Sequence, residues 1–201
     1  MKKWIAASLM TFFFIGAGSL PSEAAVTADV KRTVDRVVSI VADENMKKPG
    51  NAAKRRAALK SAISTMFDYG EMAKRSLGVN WRGRTKAEQK DFVNLFATLL
   101  ENSYAGKIES YENQRIVYDK ESIDGDYAEV KSRIVTAKRD EYSLDYRLMR
   151  QGNRWMVYDV VIEGVSLVSN YRSQFQKIIT SQGYGALVKK LRAKSDEIKA
   201  P

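Results

Sequence analysis

Two carboxylates, Asp159 and Glu163, stand four residues apart in a segment of alternating character. On a strand that spacing puts both side chains on one face. Paired carboxylates on one face are the arrangement used in glycoside hydrolysis. Nothing else in the chain completes such a site. The 201 residues include no histidine and no cysteine. That removes the usual general base near neutral pH, the thiolate nucleophile, any disulfide and the commonest zinc ligands. We therefore expect no catalytic group, no metal and no cofactor. Asp159 is expected to bond a nearby backbone group or cation. Glu163 is expected to support a strand-to-helix junction, where negative charge is favourable. Trp155 is expected to pack beneath the sheet.

What remains is charge and apolar surface. The formal net charge is +10, and a soluble cation of this size is drawn to anions. An exported protein rarely meets nucleic acid, so anionic lipid headgroups or an acidic protein face are the expected counterparts. Lys107, Arg115, Lys138, Arg139 and Arg172 are the cations considered for a phosphate group.

Export itself is read from the first residues. Lys2 and Lys3 precede an apolar run from Trp4 to Ala17, followed by Ser22 and Ala24 at the spacing of a signal-peptidase site. The run is too short to span a bilayer, which takes about 20 residues. The expectation is a cleaved signal peptide over 1–24 and one exported, periplasmic domain over 25–201.

Within that domain the apolar pattern starts helical. Val30, Val34, Val37, Val38 and Val41 predict a helix over 26–45, broken at Lys48-Pro49-Gly50-Asn51, with Asn51 capping the next. Ala58, Leu59, Ala62, Ile63, Met66 and Phe67 form one face of that second helix. Asp68 with Glu71, and Thr85 with Glu88, resemble capping boxes. The latter opens a long helix carrying Phe92, Leu95, Phe96, Leu99, Leu100 and Tyr104.

Near residue 115 the period changes to two. One run holds Ile116 and Tyr118. Ala128, Val130, Ser132 and Ile134 alternate with charged residues, as do Tyr142, Leu144, Tyr146 and Leu148, then Met156, Tyr158, Val160 and Ile162 with their neighbours. This predicts a meander of about four half-covered antiparallel strands. Helical spacing returns with Leu167, Val168, Tyr171, Phe175, Ile178 and Ile179, and Gly183 stops it before a last short helix. The expected fold class is α+β: a twisted antiparallel sheet of about four strands, with N-terminal and C-terminal helices covering one face around an apolar cavity.

The segment Trp155-Met156-Val157-Tyr158-Asp159-Val160-Val161-Ile162-Glu163-Gly164-Val165-Ser166-Leu167-Val168 resembles the signature of the MlaC family, also called toluene-tolerance auxiliary proteins. Tyr171-Arg172, Phe175, Gly183 and residues 187–191 fit the same pattern. So do Gly78 and the helix from Thr85 to Ile108, with Phe92, Phe96, Tyr104 and Gly106. The resemblance covers about residues 26–194. It implies a periplasmic phospholipid carrier that moves lipid between an outer-membrane MlaA-like lipoprotein and an inner-membrane ABC transporter complex of the Mla type. A related branch is associated with hopanoid metabolism, and a periplasmic adaptor without lipid is a further alternative.

A lipid carrier needs an apolar cavity between layers, since a close-packed core has no spare volume. The expected lining follows the strand and helix faces. Small to medium Ala128, Val130, Ser132 and Ile134 leave room. The larger Tyr142, Leu144, Tyr146 and Leu148 form a wall, continued by Met156, Tyr158, Val160 and Ile162. Phe92, Phe96, Leu99 and Leu100 cover the chains from one side, and Val168, Phe175 and Ile179 from another.

Overall fold

A computed structural model describes residues 24–112 and 114–197. The signal peptide expected over 1–24 lies almost wholly outside them. The helical half opens with α1 (Ala24–Ala42), a single turn α2 (Glu44–Lys47), α3 (Ala52–Ser64) and α4 (Tyr69–Leu77). The long helix α5 (Lys86–Glu109) leads to five strands: β1 (Arg115–Asp124), β2 (Tyr127–Val135), β3 (Glu141–Gln151), β4 (Arg154–Ile162) and the two-residue β5 (Val165–Ser166). Helices α6 (Leu167–Gln182) and α7 (Tyr184–Glu197) close the chain. The sheet is antiparallel, in the order β1-β2-β3-β4-β5.

Local chemistry sets most of these boundaries. The Thr85 hydroxyl accepts the Glu88 N–H at 3.2 Å while the Glu88 carboxylate accepts the Thr85 N–H at 2.8 Å, a complete capping box. Asp68 caps α4 from one side only, accepting the Glu71 N–H at 2.9 Å. The Glu71 carboxylate turns instead to Lys74 and Arg75. The Asp68 N–H donates to Val157 O, so residues 66–68 run beside β4 as a short parallel pairing. Asn51 does not cap α3. Its side-chain amide ties back to the Asn45 carbonyl at 2.7 Å.

The four-strand expectation gains a fifth strand at the signature segment. Glu163 and Gly164 both have positive φ, 49° and 77°, and turn β4 sharply into β5. Two consecutive left-handed residues make the tight hairpin that matches strand twist. The Glu163 carboxylate accepts the Ser143 N–H from β3, which holds this conformation.

A second correction concerns β4. Leu148 pairs with Val157 and Arg147 with Asp159, so Tyr158 is the extra residue of a β-bulge. The bulge shifts the alternation by one. Trp155 and Val157, then Val160 and Ile162, face the inner side of the sheet, and Met156 and Tyr158 do not. A similar shift in β1 at Asp119 keeps Ile116 and Tyr118 inward and then turns Glu121 and Ile123 inward.

Candidate functional site

The apolar side chains form two clusters rather than one. The first is helical: Phe92, Phe96, Leu99 and Leu100 of α5 pack against Val168 and Phe175 of α6, with Leu187 and Leu191 of α7 behind them. Its centre is aromatic. Phe92 and Phe96 lie parallel at 6.1 Å, and the Phe175 ring meets both edge-on at 5.7 and 5.8 Å. The second cluster lies on the inner face of the sheet, where Val26 and Val30 of α1 cover Val130, Tyr146, Leu148, Val157 and Val160.

The residues expected to line a single cavity are therefore divided between two packed groups. Phe92, Phe96, Leu99, Leu100, Val168, Phe175 and the half-buried Ile179 belong to the helical group. Val130, Tyr146, Leu148 and Val160 belong to the sheet group, with half-buried Leu144 at its edge. Ile134 is half-buried and stands between Ile116 and Tyr142 in the ladder. Tyr158 leaves the set altogether. It faces Tyr127 at 6.0 Å, with the Arg75 guanidinium 4.0 Å above its ring. Strict period-two reading missed the bulge, and no local residue type announces it.

The two groups touch through two residues, Phe67 and Ile162, each half-buried and packed against both. Ile162 pairs with Leu144 across the ladder, and Ile134 with Ile116. One end of the inner sheet face is thus closed under α1, while the other end, at Ile116, Ile134, Leu144 and Ile162, is half-buried. The β2–β3 ladder is also interrupted beside this strip. Ser132 N–H donates to the Asp145 carboxylate at 3.1 Å and its hydroxyl to Leu144 O.

Polar groups at the same face are few and under-bonded. The Glu121 carboxylate accepts the Thr27 N–H at 2.7 Å and its hydroxyl, pinning the start of α1 to the sheet. Its other oxygen, and the Tyr118 hydroxyl, are buried without a hydrogen-bond partner. Burial lifts the Tyr118 and Tyr146 phenols well above their ordinary range, so both stay neutral. Sequence reading had not singled out Tyr118 or Glu121 here. The β1 shift that turns Glu121 inward has no pattern of its own.

The paired carboxylates have structural work. Asp159 is 4% exposed and accepts the Val168 N–H at 3.0 Å and the Ser166 hydroxyl at 2.6 Å. Arg147 stands 3.4 Å away. Ser166 in turn accepts the Ser169 N–H. The signature thus builds the junction between β4, β5 and α6. Trp155 packs in the sheet cluster with the Arg150 guanidinium 4.6 Å from its ring. Of the five cations considered for phosphate, Arg115 at the start of β1 and Lys138 and Arg139 in the β2–β3 turn lie at one end of the sheet, since Arg115 pairs with Val135. Arg172 donates instead to the Arg75 carbonyl, and Lys107 lies over the Tyr104 ring. No group of three or more metal-ligating side chains occurs among the described residues. None of their helices is long and apolar enough to cross a membrane.

Comparison with known proteins gives this architecture its relatives. The chain is 22% identical over 205 residues to the intermembrane phospholipid transport system binding protein MlaC of Haemophilus influenzae, covering 98% of this chain and 95% of that one. It is 25% identical over 128 residues to the toluene tolerance protein ttg2D of Pseudomonas putida, covering 63% and 60%. Among solved structures, a phospholipid-binding protein of Ralstonia solanacearum, determined in complex with a phospholipid, superimposes with a TM-score of 0.78 at 28% identity. That match covers 87% of this chain and 98% of the other. The MlaC protein family model matches residues 31–193, and the chain belongs to the MlaC family.

Proposed function

We propose that this protein is a periplasmic phospholipid carrier that holds acyl chains between its sheet and its helices and performs no catalysis. The observation that carries the reading is the half-buried apolar strip of Ile116, Ile134, Leu144 and Ile162, lying where the two clusters meet through Phe67 and Ile162. Each buried methylene is worth about 0.8 kcal/mol, so a carrier must offer an acyl chain a continuous apolar lining. Movement of α1 off Val130, Tyr146 and Leu148, with α6 drawing away from β4, would join the two clusters into such a lining. Phe92, Phe96, Val168 and Phe175 would then lie opposite Val130, Tyr146 and Leu148. Motion of packed elements on this scale falls in the μs–ms range.

The buried hydroxyl of Tyr118 and the free oxygen of Glu121 support an interior that changes its contents. An unmet buried polar group costs about 1–3 kcal/mol, a cost that water or a lipid ester entering with the chains would relieve at Tyr118. The phospholipid in the Ralstonia relative's structure supports the same ligand class. In this reading the signal peptide is removed after Ala24, and the remaining domain exchanges lipid with an outer-membrane MlaA-like lipoprotein and an inner-membrane ABC transporter complex. The energy for transport would come from that complex.

The test is native mass spectrometry of protein secreted into a Gram-negative periplasm, followed by lipid extraction. A stoichiometric phospholipid adduct is expected. Protein that is recovered folded and free of lipid, and that takes none up from donor vesicles, would end the proposal.

A further inference from the structure

Between Glu71 and Glu88 the chain carries five cations and no carboxylate: Lys74, Arg75, Arg82, Arg84 and Lys86. Helix α6 adds Arg172 and Lys177, again without an acid. The two stretches meet, since α4 packs on α6 and is followed by a short 3-10 turn, Gly78–Trp81, that is tied to α6. Lys74 and Arg75 pair with Glu71, and Arg84 with Glu88. Arg82, Lys86, Arg172 and Lys177 are exposed and form no ion pair among the described residues.

The turn is fastened beside α6. Asn80 Nδ2 donates to Gln176 Oε1 at 2.9 Å, and Arg172 Nε donates to the Arg75 carbonyl of α4 at 2.7 Å. Gly78 has φ 56°, and its bare side faces the Arg172 stem, where a Cβ would touch Cδ at 3.6 Å. The stem therefore lies along the turn, and the two terminal nitrogens of Arg172 have no hydrogen-bond partner among the described residues. A guanidinium held by its Nε and free at its fork is set to receive a carboxylate on both terminal nitrogens. Held in advance, it loses little freedom on binding.

An open groove of about 520 Å³ runs between the turn and α6, edged by Gly78, Val79, Arg172, Ser173, Gln176 and Lys177. Leu77 at its base is buried, so the apolar surface on offer is Val79. At 84% exposure, Val79 is the most exposed large apolar side chain among the described residues. A lone exposed valine needs no explanation by itself. Set on a fastened turn, among cations without partners, it forms the apolar contact inside a charged rim that protein interfaces use.

We propose that the groove between the Gly78–Trp81 turn and α6 docks a protruding acidic segment of a partner protein. One carboxylate of that segment sits on Arg172, further acids face Arg82 and Lys177, and an apolar side chain meets Val79. The fit is to a protein rather than to a bilayer. The Arg172 fork lies in a concave groove that a flat lipid surface does not enter. One valine is also a smaller anchor than the single acyl chain that holds a protein to a membrane only marginally. The groove includes none of the residues assigned to the acyl lining, so the proposal does not depend on lipid being carried between sheet and helices.

The test uses the full chain in the periplasm of its native bacterium, with photoreactive p-benzoylphenylalanine in place of Val79. A second position, Ser173, covers any binding lost through the first replacement, and Lys120 on the far edge strand β1 is the control. Illumination at positions 79 and 173 is expected to give an adduct with one protein, and position 120 none. Mass spectrometry of the adduct should place the contact in a segment rich in Asp and Glu. The double variant R82E/K177E changes exposed residues without partners and should cut the adduct yield about ten-fold, while its circular dichroism and its phospholipid adduct stay as in the wild type. Lysines placed for the acids of the contacted segment should restore the yield with R82E/K177E. Adducts with phospholipid alone would assign the face to a membrane and overturn the proposal. A contacted segment without carboxylates, or a yield undiminished in R82E/K177E, would overturn the role of the cations. Absence of any adduct at both positions would overturn the docking site.

Discussion

The Asp159 carboxylate accepts the main-chain N–H of Val168 at 3.0 Å, fastening the first turn of α6 to strand β4. The same carboxylate receives the Ser166 hydroxyl, and Ser166 caps Ser169. One buried anion therefore satisfies donors that a helix start cannot satisfy by itself. Asp159→Ala should destabilise the protein by about 2–3 kcal/mol, since it strands those donors in a buried place. Ser166→Ala should cost about 1 kcal/mol, as the loss of an N-cap does. Urea unfolding measures both. A fully stable Asp159→Ala would mean that the junction is held by packing alone.

Glu121 pins the other end of the molecule. Its carboxylate takes both the N–H and the hydroxyl of Thr27 at the first turn of α1. Glu121→Ala should lower stability by about 1 kcal/mol, or roughly 2–4 °C in a chain of this size. The loss should be local. Hydrogen exchange is expected to quicken along α1, while α5 and α6 keep their protection. Uniform loss of protection across both halves would show that α1 is not an independent cover.

Ile162 sits where both apolar clusters meet. Ile162→Trp should occupy the space that an acyl chain would enter, so the variant should purify with little or no phospholipid while its circular dichroism stays native. Ile162→Val, which removes one methyl group, should retain lipid and cost about 0.5–1.5 kcal/mol. Wild-type levels of lipid on the tryptophan variant would move the acyl site elsewhere.

The aromatic centre of the helical cluster sets the stability of that half. Phe96 is fully buried and meets Phe92, Phe175 and the edge of Tyr171 at 5.4 Å. Phe96→Ala should cost about 3–5 kcal/mol by thermal or denaturant unfolding. Phe96→Leu should recover much of that loss. An alanine variant within 1 kcal/mol of wild type would indicate a loosely filled interior there.

Alkaline pH should weaken the fold through its buried phenols. Burial, and then the Glu101 charge, push the Tyr69 hydroxyl up to about 12. An unfolded tyrosine ionises near 10, so the folded state keeps a proton that the unfolded state loses. The associated stability is complete below pH 10 and is lost as pH rises through about 12. Tyr118 and Tyr146 shift in the same direction for the same main reason, burial. Thermal melts across that range, read together with phenolate absorbance, should show a steady fall in midpoint. A Tyr69→Phe variant should fall less steeply. A midpoint unchanged up to pH 12 would contradict the buried placement of these rings.

The sequence alone determined the order and type of the long elements, though not the two-residue β5, because those follow from near neighbours. Period 3.6 gave the helices of Phe92 and Phe175, period two gave the strands of Val130 and Tyr146, and Thr85 with Glu88 fixed where α5 begins. The absence of histidine and cysteine, and the signature around Asp159 and Glu163, were equally readable. Tertiary structure decided everything that depends on which faces meet. A single extra residue at Tyr158 reversed the facing of half a strand, and a bulge has no spacing of its own to announce it. The division of one expected lining into two clusters, joined at Phe67 and Ile162, was likewise invisible. Apolar residues mark a buried face without naming the face they are buried against, and that pairing is settled only when the whole chain packs.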